Sequence, residues 1–203
     1  MNPARPKNRE RSMAGKIILG GGVGVIPTDT IYGVVGSALN RKTVERIYKL
    51  RRRNSRKPFI VLIDSLADLK IFGAKLDVDT RKILKKIWPA KVSVVLGIKK
   101  KDEFRYLHRG THTLAFRLPE PSWLRRLLAK TGPLVAPSAN LEGKPPAKTI
   151  NEAQKYFGDR VDFYLDGGRV ASKPSTLIRI ENGKLTVLRP GAVKIKKVSV
   201  ITG

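Results

Sequence analysis

The chain has no cysteine, and that one absence removes disulfides, thiolate catalysis and cysteine-based zinc sites together. It also fits a cytoplasmic protein. Histidine is nearly absent. The two present, His108 and His112, stand four apart with Gly110 between them, which argues against one helix presenting both to a metal. They read as loop residues, and no metal held by the protein itself is expected. No run of 18 apolar residues exists, so no membrane span is expected. The basic N-terminus has no apolar segment directly behind it, unlike a secretory signal. Acidic residues are few: 16 Asp and Glu stand against 42 Lys and Arg, a formal net charge of +26 in 203 residues.

That excess implies a polyanionic partner or a basic bias of the source proteome. It is spread along the chain. Nine of the 17 residues from Arg41 to Lys57 are basic, with only Glu45 opposing. Lys82, Lys85 and Lys86 follow, then Lys99 to Lys101, then Lys194, Lys196 and Lys197. Phosphate contact with RNA would use such a surface without reading sequence, and would weaken with salt.

Apolar residues make up 41%, enough for a core, and the length suits a single domain. Residues 1–13 lack periodicity and read as a disordered basic arm, residues 14–193 as the domain, and residues 194–203 as a basic tail. Gly20-Gly-Gly-Val-Gly24 precedes a strand and is followed by no Gly-Lys-Ser/Thr, so it reads as a helix end and turn rather than a phosphate loop. Short strands and helices then alternate. Strands are expected at Val23–Pro27, Phe59–Ile63, Val92–Ile98, Thr113–Arg117, Leu134–Ala136, Val161–Leu165, Ser175–Ile180 and Leu185–Leu188, the last two joined by a hairpin turn at Asn182-Gly183. Helices are expected from an Asn40 cap to Arg52, from a Ser65/Asp68 capping box to Gly73, over Asp79–Trp88, over Pro121–Lys130, and from a Thr149/Glu152 capping box to Gly158. The fold class is α/β: one domain on a twisted mixed sheet flanked by helices.

Pro27-Thr-Asp-Thr-Ile-Tyr-Gly33 packs two hydroxyls, a carboxylate and a phenol behind a buried strand. Taken alone it is a capped turn or a pocket floor. Four later segments bear on that choice: Arg51-Arg-Arg53 with Lys57-Pro58; Thr113-Leu-Ala-Phe-Arg117; Pro137-Ser-Ala-Asn140; and Pro174-Ser-Thr176 with Leu188-Arg-Pro-Gly191. In this order the five segments resemble the YrdC-like family of threonylcarbamoyl-adenylate synthases, from about Gly21 to Val193.

The resemblance implies a large open cavity on one sheet face. It implies that ATP, L-threonine and bicarbonate or carbon dioxide give threonylcarbamoyl-AMP and pyrophosphate, the first step of threonylcarbamoyladenosine formation in tRNA. It also implies a nucleotidyltransferase with no covalent nucleophile, Mg²⁺ accompanying ATP through its phosphates, and a threonylcarbamoyl transferase complex downstream. It places Thr30, Tyr32, Arg117, Ser138 and Ser175 on threonine. On ATP it places Arg51, Arg53, Lys57, Thr113, Asn140, Arg189 and Lys148 or Thr149, with Arg51 and Arg53 acting electrostatically. Lys49 and Arg51 also match the spaced basic pair, but the distance to Lys57-Pro58 is then two residues too long. The chain departs from the family at Trp88-Pro-Ala-Lys-Val-Ser93, where a Gly-Pro turn is lost and Ser93 keeps the hydroxyl. It departs also at Leu62, where some members place a His, and at Arg51, where they place a Lys. The alternative is a non-catalytic module of the same fold that binds tRNA, rRNA or other double-stranded RNA. Such a module needs the basic surface, but not Arg117, Ser138, Asn140 and Ser175 together.

Overall fold

Most strand residues are buried on both faces of the sheet, yet helices cover only part of one face. The computed structural model of the protein describes residues 6–54, 56–181 and 184–195. The strands are β1 (Gly24–Pro27), β2 (Tyr32–Ser37), β3 (Ile60–Leu62), β4 (Val92–Gly97), β5 (Thr113–Arg117), β6 (Leu134–Val135), β7 (Phe163–Tyr164), β8 (Thr176–Glu181) and β9 (Lys184–Arg189). They form one mixed sheet in the order β7-β1-β2-β6-β3-β5-β4-β8-β9. The helices are α1 (Asn8–Leu19), α2 (Arg41–Arg51), α3 (Val78–Ile87), α4 (Arg105–His108), α5 (Ser122–Thr131) and α6 (Ile150–Phe157).

Most expected elements appear within a residue or two of their expected limits. The Asn40 side chain accepts from the Thr43 amide and starts α2, Ser65 and Asp68 close a capping box, and Thr149 caps α6. β8 and β9 pair antiparallel; the Asn182-Gly183 turn expected between them lies outside the described residues, as does most of the basic tail. Three expectations need correction. Residues 8–13 do not form a disordered arm but the first half of α1, with Glu10 bonded back to the Lys7 amide and Ala14 and Ile18 buried against α5. β2 was not expected as a strand. Gly33 and Gly36 dilute its apolar pattern, yet four residues pair with β1. His108 is not a loop residue but closes the short α4, buried, its ring bonded to the Lys101 carbonyl at 2.6 Å. Among the described residues no group of His, Cys, Asp or Glu is arranged to hold a metal, and no helix is long and apolar enough to cross a membrane.

The parity of each strand assigns its side chains to two faces. On one face Val34, Val61, Val94, Phe116, Val135 and Ile178 join the larger core, which includes residues of α2, α3 and α6. On the other, Ile26, Val35, Leu62 and Leu134 pack under α1 and α5 in a smaller core. That second layer stops short of β5, β4 and β8. There Ala115, Val95, Leu177 and Arg179 line a cavity instead of a core.

Candidate functional site

A cavity of about 410 Å³ occupies the uncovered half-face. Its floor is a row of cross-strand neighbours, Ile60, Ala115, Val95 and Arg179, each in register with the next. Five arginines reach its wall: Arg51, Arg53, Arg117, Arg179 and Arg189. Six hydroxyl residues join them: Thr28, Thr30, Thr111, Thr113, Ser138 and Ser175. No carboxylate lines it among the described residues. A low-dielectric recess walled by guanidinium groups is a site for anions.

The turn between β1 and β2 supplies Thr28 and Thr30. The Thr28 hydroxyl donates to the Ile31 carbonyl at 2.6 Å and accepts from the Thr30 amide at 3.2 Å, so the segment is a capped turn that also forms a cavity wall. Arg117 ends β5, 4% exposed. It pairs with Asp29 at 3.3 Å and donates to the Thr30 hydroxyl at 3.3 Å. The pair fixes the guanidinium before any ligand arrives.

The Pro137–Asn140 loop is held along β2: the Pro137 carbonyl accepts from Val34, and Ala139 donates to the Tyr32 carbonyl. Arg51, 2% exposed, leaves the end of α2 to meet this loop. Its Nε donates to the Asn140 carbonyl at 3.0 Å, and one terminal nitrogen to Ser138 Oγ at 3.2 Å and Asn140 Oδ1 at 3.1 Å. Its other terminal nitrogen is buried and has no hydrogen-bond partner among the described residues. Burial, and then neighbouring Arg53, press its pKa down to about 10, so it remains a cation at neutral pH.

Ser175 shares a hydrogen bond of 2.9 Å with Ser93, both buried. Arg189 donates to the Ser175 carbonyl at 2.9 Å, and burial followed by Arg117 lowers its pKa. Gly191 follows where the chain lies flat against Pro174–Thr176; a Cβ there would collide with the Pro174 carbonyl and the Thr176 nitrogen. Only glycine allows that approach, which keeps Arg189 beside Ser175.

Of the residues expected at the site, the cavity lining brings together Thr30, Arg51, Arg53, Thr113, Arg117, Ser138, Ser175 and Arg189. Tyr32 lies on the opposite sheet face by strand parity. Its hydroxyl donates to the Gly168 carbonyl at 2.8 Å, and burial pushes its pKa up to about 12. Asn140 does not line the cavity but grips Arg51. Lys57 pairs with Glu142 at 3.0 Å, Lys148 is exposed, and Thr149 caps α6; none of the three is in the lining. Sequence reasoning missed Asp29 as the partner of Arg117, and missed Arg179 altogether. Arg179 was legible in principle, because Thr176, Ile178 and Ile180 alternate inward and leave Leu177 and Arg179 on the face of Ser175.

Known proteins are similar to this chain in sequence and in fold. The model of the Sua5/YciO/YrdC family, described as "Telomere recombination", matches residues 16–191. A Methanocaldococcus jannaschii protein provisionally named threonylcarbamoyl-AMP synthase is 32% identical over 185 residues, 91% of this chain and 86% of that one. The chain spans 52% of the length of the threonylcarbamoyl-AMP synthases of Pyrococcus abyssi and Bacillus subtilis, which it matches at 28% and 30% identity. The structure of P. abyssi Sua5 complexed with L-threonine superposes with a TM-score of 0.82 at 27% identity, over 92% of this chain and 55% of that chain. Escherichia coli YciO superposes with a TM-score of 0.84 at 25% identity, over 96% of this chain and 95% of its own. With the family model covering nearly the whole domain, and a single-domain structure matching from end to end, the chain belongs to the Sua5/YciO/YrdC family.

Proposed function

We propose that the chain is an L-threonylcarbamoyladenylate synthase acting on ATP, L-threonine and bicarbonate or carbon dioxide. The observation that carries this reading is the cavity wall, with five arginines, six hydroxyl residues and no carboxylate among the described residues. The names of the relatives and the threonine complex of P. abyssi Sua5 support it.

The reaction suits that wall. The threonine amine adds to carbon dioxide, giving a carbamate and a proton. A carbamate oxygen attacks the α-phosphorus of ATP, the bond to the bridging oxygen breaks, and pyrophosphate leaves. This makes the enzyme a nucleotidyltransferase. No side chain forms a covalent bond; the protein aligns three anionic groups and offsets their repulsion. Arg117, held by Asp29 and Thr30, offers its guanidinium to the threonine carboxylate. Thr30, Ser138 and Ser175 supply the hydroxyl contacts of the amino acid. Arg51, Arg53, Arg189 and Thr113, all in the cavity wall, face the nucleotide, and the Arg51 charge is available to a phosphate group. Asn140 acts by aiming Arg51.

The wall does not fit a protein-held Mg²⁺, since it offers guanidinium and hydroxyl groups and no carboxylate. Mg²⁺ belongs to the ATP phosphates, and no step here depends on it. The adenylate product is a reactive mixed anhydride, suited to capture by a threonylcarbamoyl transferase complex that modifies tRNA. The +26 charge suits contact with that RNA. A module that only bound RNA would have no use for a buried arginine, Arg51, that has no carboxylate ion-paired to it among the described residues.

The test is pyrophosphate release from ATP with and without threonine and bicarbonate. Release that requires both is expected; release indifferent to threonine would sink the reading.

A further inference from the structure

Four side chains stack from the outer surface to the cavity wall. Arg109 Cζ lies 4.0 Å from the Tyr48 ring centroid. The Tyr48 and Phe59 rings are stacked, with centroids 3.9 Å apart and planes inclined by 19°. Arg53 Cζ lies over the Phe59 ring, 5.3 Å from its centroid. Tyr48 fills one face of Phe59, so Arg53 takes the other. The outer end of the stack is anchored by Glu45, which pairs with Arg109 at 2.9 Å. The inner end opens on the cavity, because Phe59 and Arg53 both line it.

Arg53 needs such a support. Among the described residues no carboxylate forms an ion pair with it. Its Nε donates to the Lys57 carbonyl at 3.3 Å, and a terminal nitrogen donates to the Pro58 carbonyl at 3.4 Å. The Tyr48 hydroxyl donates to that same Lys57 carbonyl at 2.8 Å. The phenol and the guanidinium are thus tied to one oxygen and to opposite faces of one ring. A long side chain otherwise free to sample many rotamers is confined to one direction. With both faces occupied, Phe59 cannot stack on a base; what it offers the site is orientation.

We propose that Tyr48, acting through Phe59, is the positioning residue that aims Arg53 at the phosphate groups of a bound nucleotide. The identity of the nucleotide as ATP rests on the synthase reading; the positioning itself does not.

The test is a double-mutant cycle read by calorimetric titration of the full chain with ATP and, separately, with L-threonine. Tyr48→Leu should weaken ATP binding about tenfold and leave threonine binding unchanged. Tyr48→Phe keeps the ring and should stay within about threefold of the parent protein. In an Arg53→Ala background, Tyr48→Leu should cost ATP binding nothing further. An equal loss in that background would overturn the proposal, as would parallel weakening of ATP and threonine. If Tyr48→Leu does not fold, Phe59→Leu enters the same cycle with the same criteria. Should the parent protein bind pyrophosphate but not ATP, the synthase reading fails, and the cycle is read with pyrophosphate as its probe.

Discussion

On one wall of the cavity Arg117, 4% exposed, faces the Asp29 carboxylate at 3.3 Å; on another Arg51, 2% exposed, meets, among the described residues, carbonyl, amide and hydroxyl oxygens. The first has its counter-charge in place without any ligand, although Arg117 Nε and Asp29 Oδ1 make no hydrogen bond among the described residues. The second is a buried cation with no carboxylate ion-paired to it among the described residues, and one of its terminal nitrogens likewise makes no hydrogen bond. A ligand carboxylate at Arg117 must share the guanidinium with Asp29, so its gain is geometric more than electrostatic. A phosphate oxygen at Arg51 supplies the missing counter-charge, so its gain is larger. The two walls thus divide the labour: one orients a weakly charged substrate, the other attracts a strongly charged one.

The largest effect should come from breaking the complete pair. Arg117→Ala strands the Asp29 carboxylate in the interior and should destabilise the fold by about 3–5 kcal/mol, read by urea denaturation. Adding Asp29→Asn should restore most of that stability without restoring threonine-dependent pyrophosphate release. A stable Arg117→Ala single variant would show that Asp29 does not depend on Arg117.

Arg51→Met should behave in the opposite sense. Removing an uncompensated buried cation should leave the thermal midpoint unchanged or raise it, while ATP affinity falls about hundredfold by calorimetry. A lowered midpoint together with intact ATP binding would reverse the comparison.

Ser175→Ala deletes a hydroxyl and leaves Ser93 buried without its partner. Threonine affinity should fall about tenfold, with a stability loss near 1 kcal/mol. Lys148→Ala lies at the small end. Its side chain is exposed and outside the cavity lining, so ATP affinity should change by no more than about twofold. A larger loss would extend the nucleotide site beyond the arginine wall.

Much of the fold was legible where local chemistry decides. Thr113–Arg117 is a strand to the residue, because alternation and the β-branched start agree. The Asn40, Ser65 and Thr149 caps were readable because each cap is settled within four residues. The N-terminal half of α1 was hidden because its own side chains are mostly polar and exposed, and the residues that pack on α5, Ala14 and Ile18, lie in the second half of the helix. Tyr32 shows the limit most clearly. Its motif is right beside the cavity, yet Gly33 faces the cavity and Tyr32 faces the core, one residue apart. Strand parity separates neighbours, and it could be applied only once β2 was known to be a strand. Asn140 was expected on the nucleotide, but its contact is with Arg51, a residue 89 positions away in the chain.

The sequence by itself determined what is local or summed. It set the cationic balance, the exclusion of thiol chemistry, the turn chemistry at Thr28, and most strand and helix positions. Each of these depends on composition or on residues a few places apart. Only the tertiary structure decided which half of a sheet face stays uncovered. That depends on how far α1 and α5 extend across the strands, and on which side chains then point into the gap. Five arginines from four separate segments became one anion site because the second helical layer stops before β5, β4 and β8. No single segment carries that information, because the site is defined by an edge of packing that only distant parts of the chain create together.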